Sequence, residues 1–342
     1  MMGFNAVTIG LLLHAAEVFF LGGLHFYDPA ATAALRGYPA APFLQRSIAI
    51  AAFALGLMGL LFVNAARATS EATNSTDTTK TAPHKYSLTA LKRLVAGFMT
   101  FHGSFVLRGA IIADYGAIPT HGVPFVGLFF AAVKLGLFST DTLFSGLQEI
   151  TSVLGSYATL RRSYGKPSSL QFLRQPILAF AYVTQIFVAL LEGYLHCFLP
   201  AQALKPLGYG VHVIQTTLGM DVGIAFGLIP LFFLPLVLDS KNFEKSDGVL
   251  RKMSLAVLVY HGAMCAMFVF EEQGIAGLLQ LHPVYVIHLV PACAFAIHLL
   301  LGAVGGASGS GGTSTGGKSI KRGSSQVRTP KRSASSKGKR QE

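Results

Sequence analysis

The sequence predicts an all-α polytopic membrane protein: two tandem four-helix bundles, about eight spans in total, followed by a disordered basic tail. Three observations predict it. Only 12% of the 342 residues are charged and 52% are hydrophobic, whereas soluble domains carry about 25% charged residues. Several apolar runs approach the roughly 20 residues that a helix needs to cross about 30 Å of hydrocarbon. Residues of the first half also reappear in the second at a constant separation of 171.

Taken in order, the runs place spans at Phe4–Phe26, Leu44–Asn64, Leu94–Ala113, Gly122–Phe138, Ile177–Phe198, Leu218–Leu238, Ser254–Phe270 and Val284–Leu301. The fourth is short and contains Lys134. The first lacks the basic start and small-residue cleavage site of a signal peptide, so it should remain as a span. Ala68–Tyr86 is rich in Ser and Thr and reads as a polar loop, and Asp239–Gly248 as its shorter counterpart. Leu143, Leu147, Ile150, Leu154 and Tyr157 recur at helical steps, which predicts an amphipathic helix along the membrane surface or a cytosolic extension of span four. The resulting segments are a first bundle over 1–140, an interfacial linker over 141–170, a second bundle over 171–302 and a tail over 303–342.

Nine basic residues and a single acid, Glu342, follow Gly302. Most of the net charge of +12 therefore belongs to the Gly/Ser-rich tail, which cannot bury a core. This charge suits anionic lipid at the membrane surface and excludes a nucleic-acid-binding fold. The loops on the tail's side hold Arg67, Lys80, Lys85, Arg161, Arg162, Lys166, Lys241 and Lys245, whereas the opposite loops carry Asp28, Asp114, Glu271 and Glu272. Positive loops stay in the cytosol, so both termini are expected there. The sequon Asn74-Ser75-Thr76 would then remain unglycosylated. The end Lys339-Arg340-Gln341-Glu342 is similar to a dibasic endoplasmic-reticulum retrieval signal; read without that likeness it is a solvated basic terminus. The three cysteines, Cys197, Cys265 and Cys293, form neither a disulfide framework nor a zinc motif.

The repeat pairs Gly22, Leu24, His25, Pro29, Ala30, Gly37 and Tyr38 with Gly193, Leu195, His196, Pro200, Ala201, Gly208 and Tyr209. A second block pairs Leu91, Lys92-Arg93 and His102-Gly103 with Leu250, Arg251-Lys252 and His261-Gly262, now 159 apart. An even number of spans per copy inserts both copies the same way up, with a pseudo-two-fold along the membrane normal and a seam between bundles where pockets form. The order Gly-x-x-His-x-x-x-Pro followed by a Gly-rich span, at Gly22–Gly59 and Gly193–Leu231, resembles the small four-helix membrane proteins of the DoxX-like kind. The resemblance implies a fold for each half and assigns no residue a role.

Ionisable residues inside spans cost about 2.5–3.5 kcal/mol each at the centre and mark candidate sites. His14, Glu17 and His25 share one face of span one, and Gln185, Glu192 and His196 one face of span five. Span three adds His102 and Arg108, span seven His261, and span six Asp221. The expected catalytic set is Glu17, Glu192, His25, His196 and Arg108. The expected pocket residues are His14, Gln185, His102, His261 and Asp221. No metal or cofactor is expected; a haem between His14, His102, His261, His288 or His298 lacks a characteristic spacing. Walker, HExxH and GxSxG motifs are absent from the sequence.

The polar stripes admit three functional readings: acid-catalysed cyclisation or isomerisation of a small lipophilic molecule, proton-coupled transport, or a scaffold acting through its tail. The bland alternative is that these side chains only fix helix packing.

Overall fold

The computed structural model describes residues 5–35, 38–73, 81–112, 114, 116–139, 171–204, 210–239, 243–272 and 283–309. The sequon, the linker helix, Gly37, Gly208, Tyr209 and the tail beyond residue 309 lie outside them. Among the described residues eight helices are long and apolar enough to cross a membrane, and none is a strand. In chain order the elements are α1 (Ala6–Tyr27), the short α2 (Pro29–Leu35), α3 (Pro42–Thr73), α4 (Thr81–Ile111), α5 (Ala117–Lys134), α6 (Gln171–Phe198), the short α7 (Pro200–Leu204), α8 (Gln215–Leu238), α9 (Phe243–Met267) and α10 (Pro283–Gly309).

Local chemistry sets the ends. The Asn5 side chain accepts a hydrogen bond from Thr8 N at 2.8 Å and caps α1. Asp28 closes α1 and caps α2 through its contact with Ala31 N. The fourth span begins at Ala117, five residues before the expected start, and stops at Lys134. Gly136, with φ of 67°, supplies the left-handed residue; Leu137 N reaches Ala132 O and Gly136 N reaches Val133 O, a Schellman stop. Lys134 thus sits in the last turn, where a cation complements the helix dipole. The expected polar loop at Ala68–Tyr86 is shorter than the apolar pattern suggested, because α3 runs on to Thr73 and α4 starts at Thr81. Strong helix formers such as Ala65, Ala66 and Ala68 carry α3 past the hydrocarbon.

Each half closes into a four-helix ring. α1 packs on α3 and α5, and α4 joins α5 to α3; α6 packs on α8 and α10, and α9 joins α10 to α8. The halves meet through α3 and α4 on one side and α8 and α9 on the other. Phe62 and Phe233, residues 171 apart, meet edge-on at that seam with centroids 6.2 Å apart. At the end bearing the termini, Asp247 pairs with Arg174 and Arg251, and Arg251 donates to Gly302 O, tying α6, α9 and α10 together. Phe20, Leu107, Phe187 and Leu300 point outward and are mostly exposed, as a lipid-facing belt requires.

Glycines let the helices approach. A Cβ on Gly193 would lie 2.8 Å from Gly223 Cα and 2.9 Å from Gly219 O. These are backbone atoms that cannot swing away. Gly219, Gly223 and Gly227 recur every fourth residue along α8, a small-residue contact face of the kind membrane helices use. Gly227 meets Leu190, and 171 residues earlier Gly56 meets Phe19. A Gly193→Ala substitution should therefore destabilise the protein by about 1–3 kcal/mol, whereas Gly262→Ala, with open space around its Cβ, should not. Thermal unfolding of the purified protein in detergent compares the two.

Candidate functional site: two buried imidazole networks

The polar stripes of α1 and α6 turn into the rings, and each meets two histidines from neighbouring helices. In the first half His14 Nδ1 lies 2.7 Å from His102 Nε2. His102 Nδ1 lies 3.2 Å from His121 Nδ1. The Glu17 carboxylate comes within 3.0 Å of His121 Nδ1 and 3.9 Å of His102 Nδ1. All three rings are buried. Phe98 stacks on His14 at 3.7 Å and Phe105 on His121 at 4.5 Å, so packing fixes the ring planes. Gly59 makes room for His14, since a Cβ there would stand 3.0 Å from His14 Cδ2.

In the second half His261 Nε2 contacts Gln185 Oε1 closely. His261 Nδ1 lies 2.9 Å from His288 Nδ1, and His288 Nε2 lies 3.6 Å from Glu192 Oε1. The equivalence extends to backbone partners: His14 Nε2 faces Leu55 O at 3.4 Å and Gln185 Nε2 faces Phe226 O at 2.8 Å. Both residues of that pair shift by 171. A similar contact anchors the links after α1 and α6: Gln45 Nε2 donates to Pro29 O and Gln215 Nε2 to Pro200 O, the prolines 171 apart and the glutamines 170.

Hydrogen-bond logic assigns the tautomers. A carbonyl only accepts, so neutral His14 carries its proton on Nε2, towards Leu55 O. Its bare Nδ1 accepts from His102 Nε2–H, which leaves His102 Nδ1 as a lone pair facing His121 and Glu17. In the second half the Gln185 amide donates to Phe226 O, so its oxygen accepts from His261 Nε2–H. His261 Nδ1 then accepts from His288 Nδ1–H. The remaining His288 lone pair, on Nε2, faces a carboxylate. Two acceptors confront each other there, and one additional proton completes the pair.

The two carboxylates occupy different places because they differ by one helical turn. Adding 171 to Glu17 gives Val188, and Glu192 corresponds to Leu21. Glu17 therefore reaches the junction between two rings, while Glu192 reaches the outer end of one.

A cavity of about 160 Å³ is lined by Glu192, His196, His288 and Tyr260 together with Phe43 and Ser47 of the other half. A larger one, about 830 Å³, is lined by Leu21, His25, Asp28, Arg108, Asp114 and Thr217, among others. Both lie at the end of the bundle remote from the termini. The pattern again repeats, with Leu21, Leu24 and His25 in one and Glu192, Leu195 and His196 in the other.

The expected set is thus divided. Glu17, His14 and His102 come together; so do Glu192, Gln185 and His261, with His196 on the same cavity as Glu192. His25 and Arg108 line the larger cavity, where Arg108 donates to Thr217 Oγ1 across the seam at 3.2 Å. Asp221 is buried at the start of a π-helical stretch, Asp221–Leu228. The single site expected to be shared by both carboxylates is replaced by two sets, because α1 and α6 each face the interior of their own ring while α3, α4, α8 and α9 build the seam. His121 escaped the sequence reading altogether, and His288 entered it only as a haem candidate. Their shared signal was a lone histidine in an apolar span.

Fold and site define a multi-pass all-α membrane protein with buried imidazole–carboxylate networks. Comparison with protein-family models, with curated proteins and with solved structures finds no match in any of the three.

Replacing Gln185 by Leu strands the His261 Nε2–H and the Phe226 carbonyl, at about 1–3 kcal/mol for each buried unsatisfied group. The unfolding temperature should fall accordingly. Gln185→His, which borrows the residue of the first network, should lose less.

Proposed function

We propose that the protein handles a small lipophilic molecule in the cavity beside Glu192 and catalyses its isomerisation or cyclisation by proton transfer. The observation that carries this reading is the hydrogen-bonded line Gln185–His261–His288, whose outer nitrogen, His288 Nε2, lies 3.6 Å from Glu192 Oε1 at the wall of a largely apolar cavity, two acceptors that call for one shared proton. A protonated Glu192 gives its proton to an alkene, carbonyl or epoxide of the substrate, and the resulting carboxylate takes a proton back from the rearranged cation. The reaction is balanced without water, redox partner or cofactor. A space of about 160 Å³ is close to that of a cavity that admits benzene, about 150 Å³, so it suits the reacting end of a longer lipid. His196 and Tyr260 stand beside that end.

The same line argues against transmembrane proton relay. It ends blind at an amide and the Phe226 carbonyl, so a proton must enter and leave on the cavity side. The matched hydrogen bonds and cavities support a tandem duplication, and the Gly-x-x-His-x-x-x-Pro order of each half supports reading the unit as DoxX-like, with catalysis confined to the copy whose carboxylate reaches the seam. We also infer that both termini face the cytosol, from the charge of the loops, that the membrane is the endoplasmic reticulum, from the dibasic end, and that the tail touches anionic lipid.

The test compares lipid extracts of cells lacking the protein with those complemented by wild-type chain or Glu192→Gln. Wild type should restore a lipid-soluble isomer, and Glu192→Gln should form it about 10²–10⁴-fold more slowly, the usual span for a general acid. Full restoration by Glu192→Gln at equal protein level would refute the assignment. For the topology, a sequon engineered into the link between α1 and α3 should be glycosylated while Asn74 is not; the reverse pattern inverts the orientation.

A further inference from the structure

The first network differs from the second in one respect that the proposed chemistry leaves unused: its carboxylate points at the meeting place of two imidazole nitrogens. We propose that Glu17, His102 and His121 form a binding site for a divalent first-row transition metal of the zinc or iron(II) class, with His14 as the group that orients His102.

The donor atoms already stand at ligand spacing. Three donors, one from each residue, lie within 4.8 Å of one another: His121 Nδ1 is 3.2 Å from His102 Nδ1 and 3.0 Å from Glu17 Oε1, and the other carboxylate oxygen, Oε2, is 3.9 Å from His102 Nδ1. A cation about 2.0–2.2 Å from each donor keeps neighbouring donors roughly 3.0–3.5 Å apart in tetrahedral or octahedral geometry; the two edges at His121 already match, and closure brings the Glu17 carboxylate and His102 closer together. Two imidazoles and one carboxylate select zinc or iron(II) over magnesium or calcium, which prefer all-oxygen ligand sets. The donors come from three helices, α1, α4 and α5, so a bound ion would cross-link one ring.

The protons fit as well. The His102 lone pair is on Nδ1, towards the site, because Nε2–H is committed to His14 and His14 Nε2–H to the Leu55 carbonyl. A ligating histidine normally donates its other N–H to such a second partner, which fixes its tautomer and plane. On His121 the Nδ1 proton that bridges the set without metal is the one a cation displaces, and the ring keeps neutrality with its proton on Nε2. Access runs from the larger cavity, whose lining includes Leu21, one turn beyond Glu17, and Thr120, next to His121. The second network offers no such set: Glu192 meets His288 at Nε2, on the far side of the ring from the His261 contact.

The experiment uses full-length protein, purified in detergent, freed of any affinity tag, treated with chelator and titrated with cobalt(II) and zinc(II). About one equivalent per chain should bind, with cobalt giving visible ligand-field absorption that zinc abolishes. Glu17→Gln and His121→Asn should lose the absorption, and His212→Asn, at the seam, should keep it. His14→Gln, which reproduces the amide of the second network, should bind as wild type, whereas His14→Leu should weaken affinity about 10–100-fold. Size-exclusion profiles identify variants that fail to fold; the wild-type titration then decides alone. Failure of the wild-type chain to take up either metal stoichiometrically would overturn the proposal, as would cobalt absorption undiminished in well-folded Glu17→Gln and His121→Asn. Neither readout depends on Glu192, so the metal site and the proposed acid chemistry stand or fall separately.

Discussion

A polar group surrounded by hydrocarbon must find its partner inside the protein, because no water is available to serve instead. That constraint governs both networks. An imidazole has one N–H and one lone pair when neutral, so each buried ring passes a requirement to the next. The sequence of contacts ends only where a group can accept without donating. In both halves that end is a backbone carbonyl of the second long helix, Leu55 O or Phe226 O. A bundle that packed less closely would leave these carbonyls out of reach.

Close packing comes from small residues. Gly193 against Gly219 and Gly223 brings α6 onto α8 with backbone in contact, and Gly10 against Gly127 does the same for α1 and α5, where an added Cβ would lie 2.9 Å from the Gly127 carbonyl oxygen. Without a hydrophobic force between helices inside a membrane, such contacts and the hydrogen bonds across them hold the rings together. The glycines are therefore what allows His14, His102 and His121 to meet.

One helical turn separates what the two halves can do. Glu17 lies between two imidazole nitrogens and makes a compact three-donor set. Glu192, four residues later in the repeat frame, lies beyond its histidine and opens onto a cavity at the seam. Leu21 occupies the corresponding wall of the other cavity, which is why the larger space carries Arg108 and His25 but no carboxylate from α1. Two similar rings thereby differ in what surrounds their carboxylate through a single displaced side chain.

The amino-acid sequence alone determined the eight apolar runs, the face of α1 that carries His14 and Glu17, and the matching face of α6, because helical spacing fixes which residues share a side. It also displayed the matches at 171 and 159, since those lie where both halves have equal length. Spacing along one helix says nothing about which neighbour that face meets. His121 and His288 are 167 apart, in step with neither frame, so their common role became visible only when α5 and α10 were seen to close the rings. Tertiary structure likewise decided that Arg108 and His25 line one cavity with Thr217 of the other half, since distance between helices depends on where glycines let backbones touch.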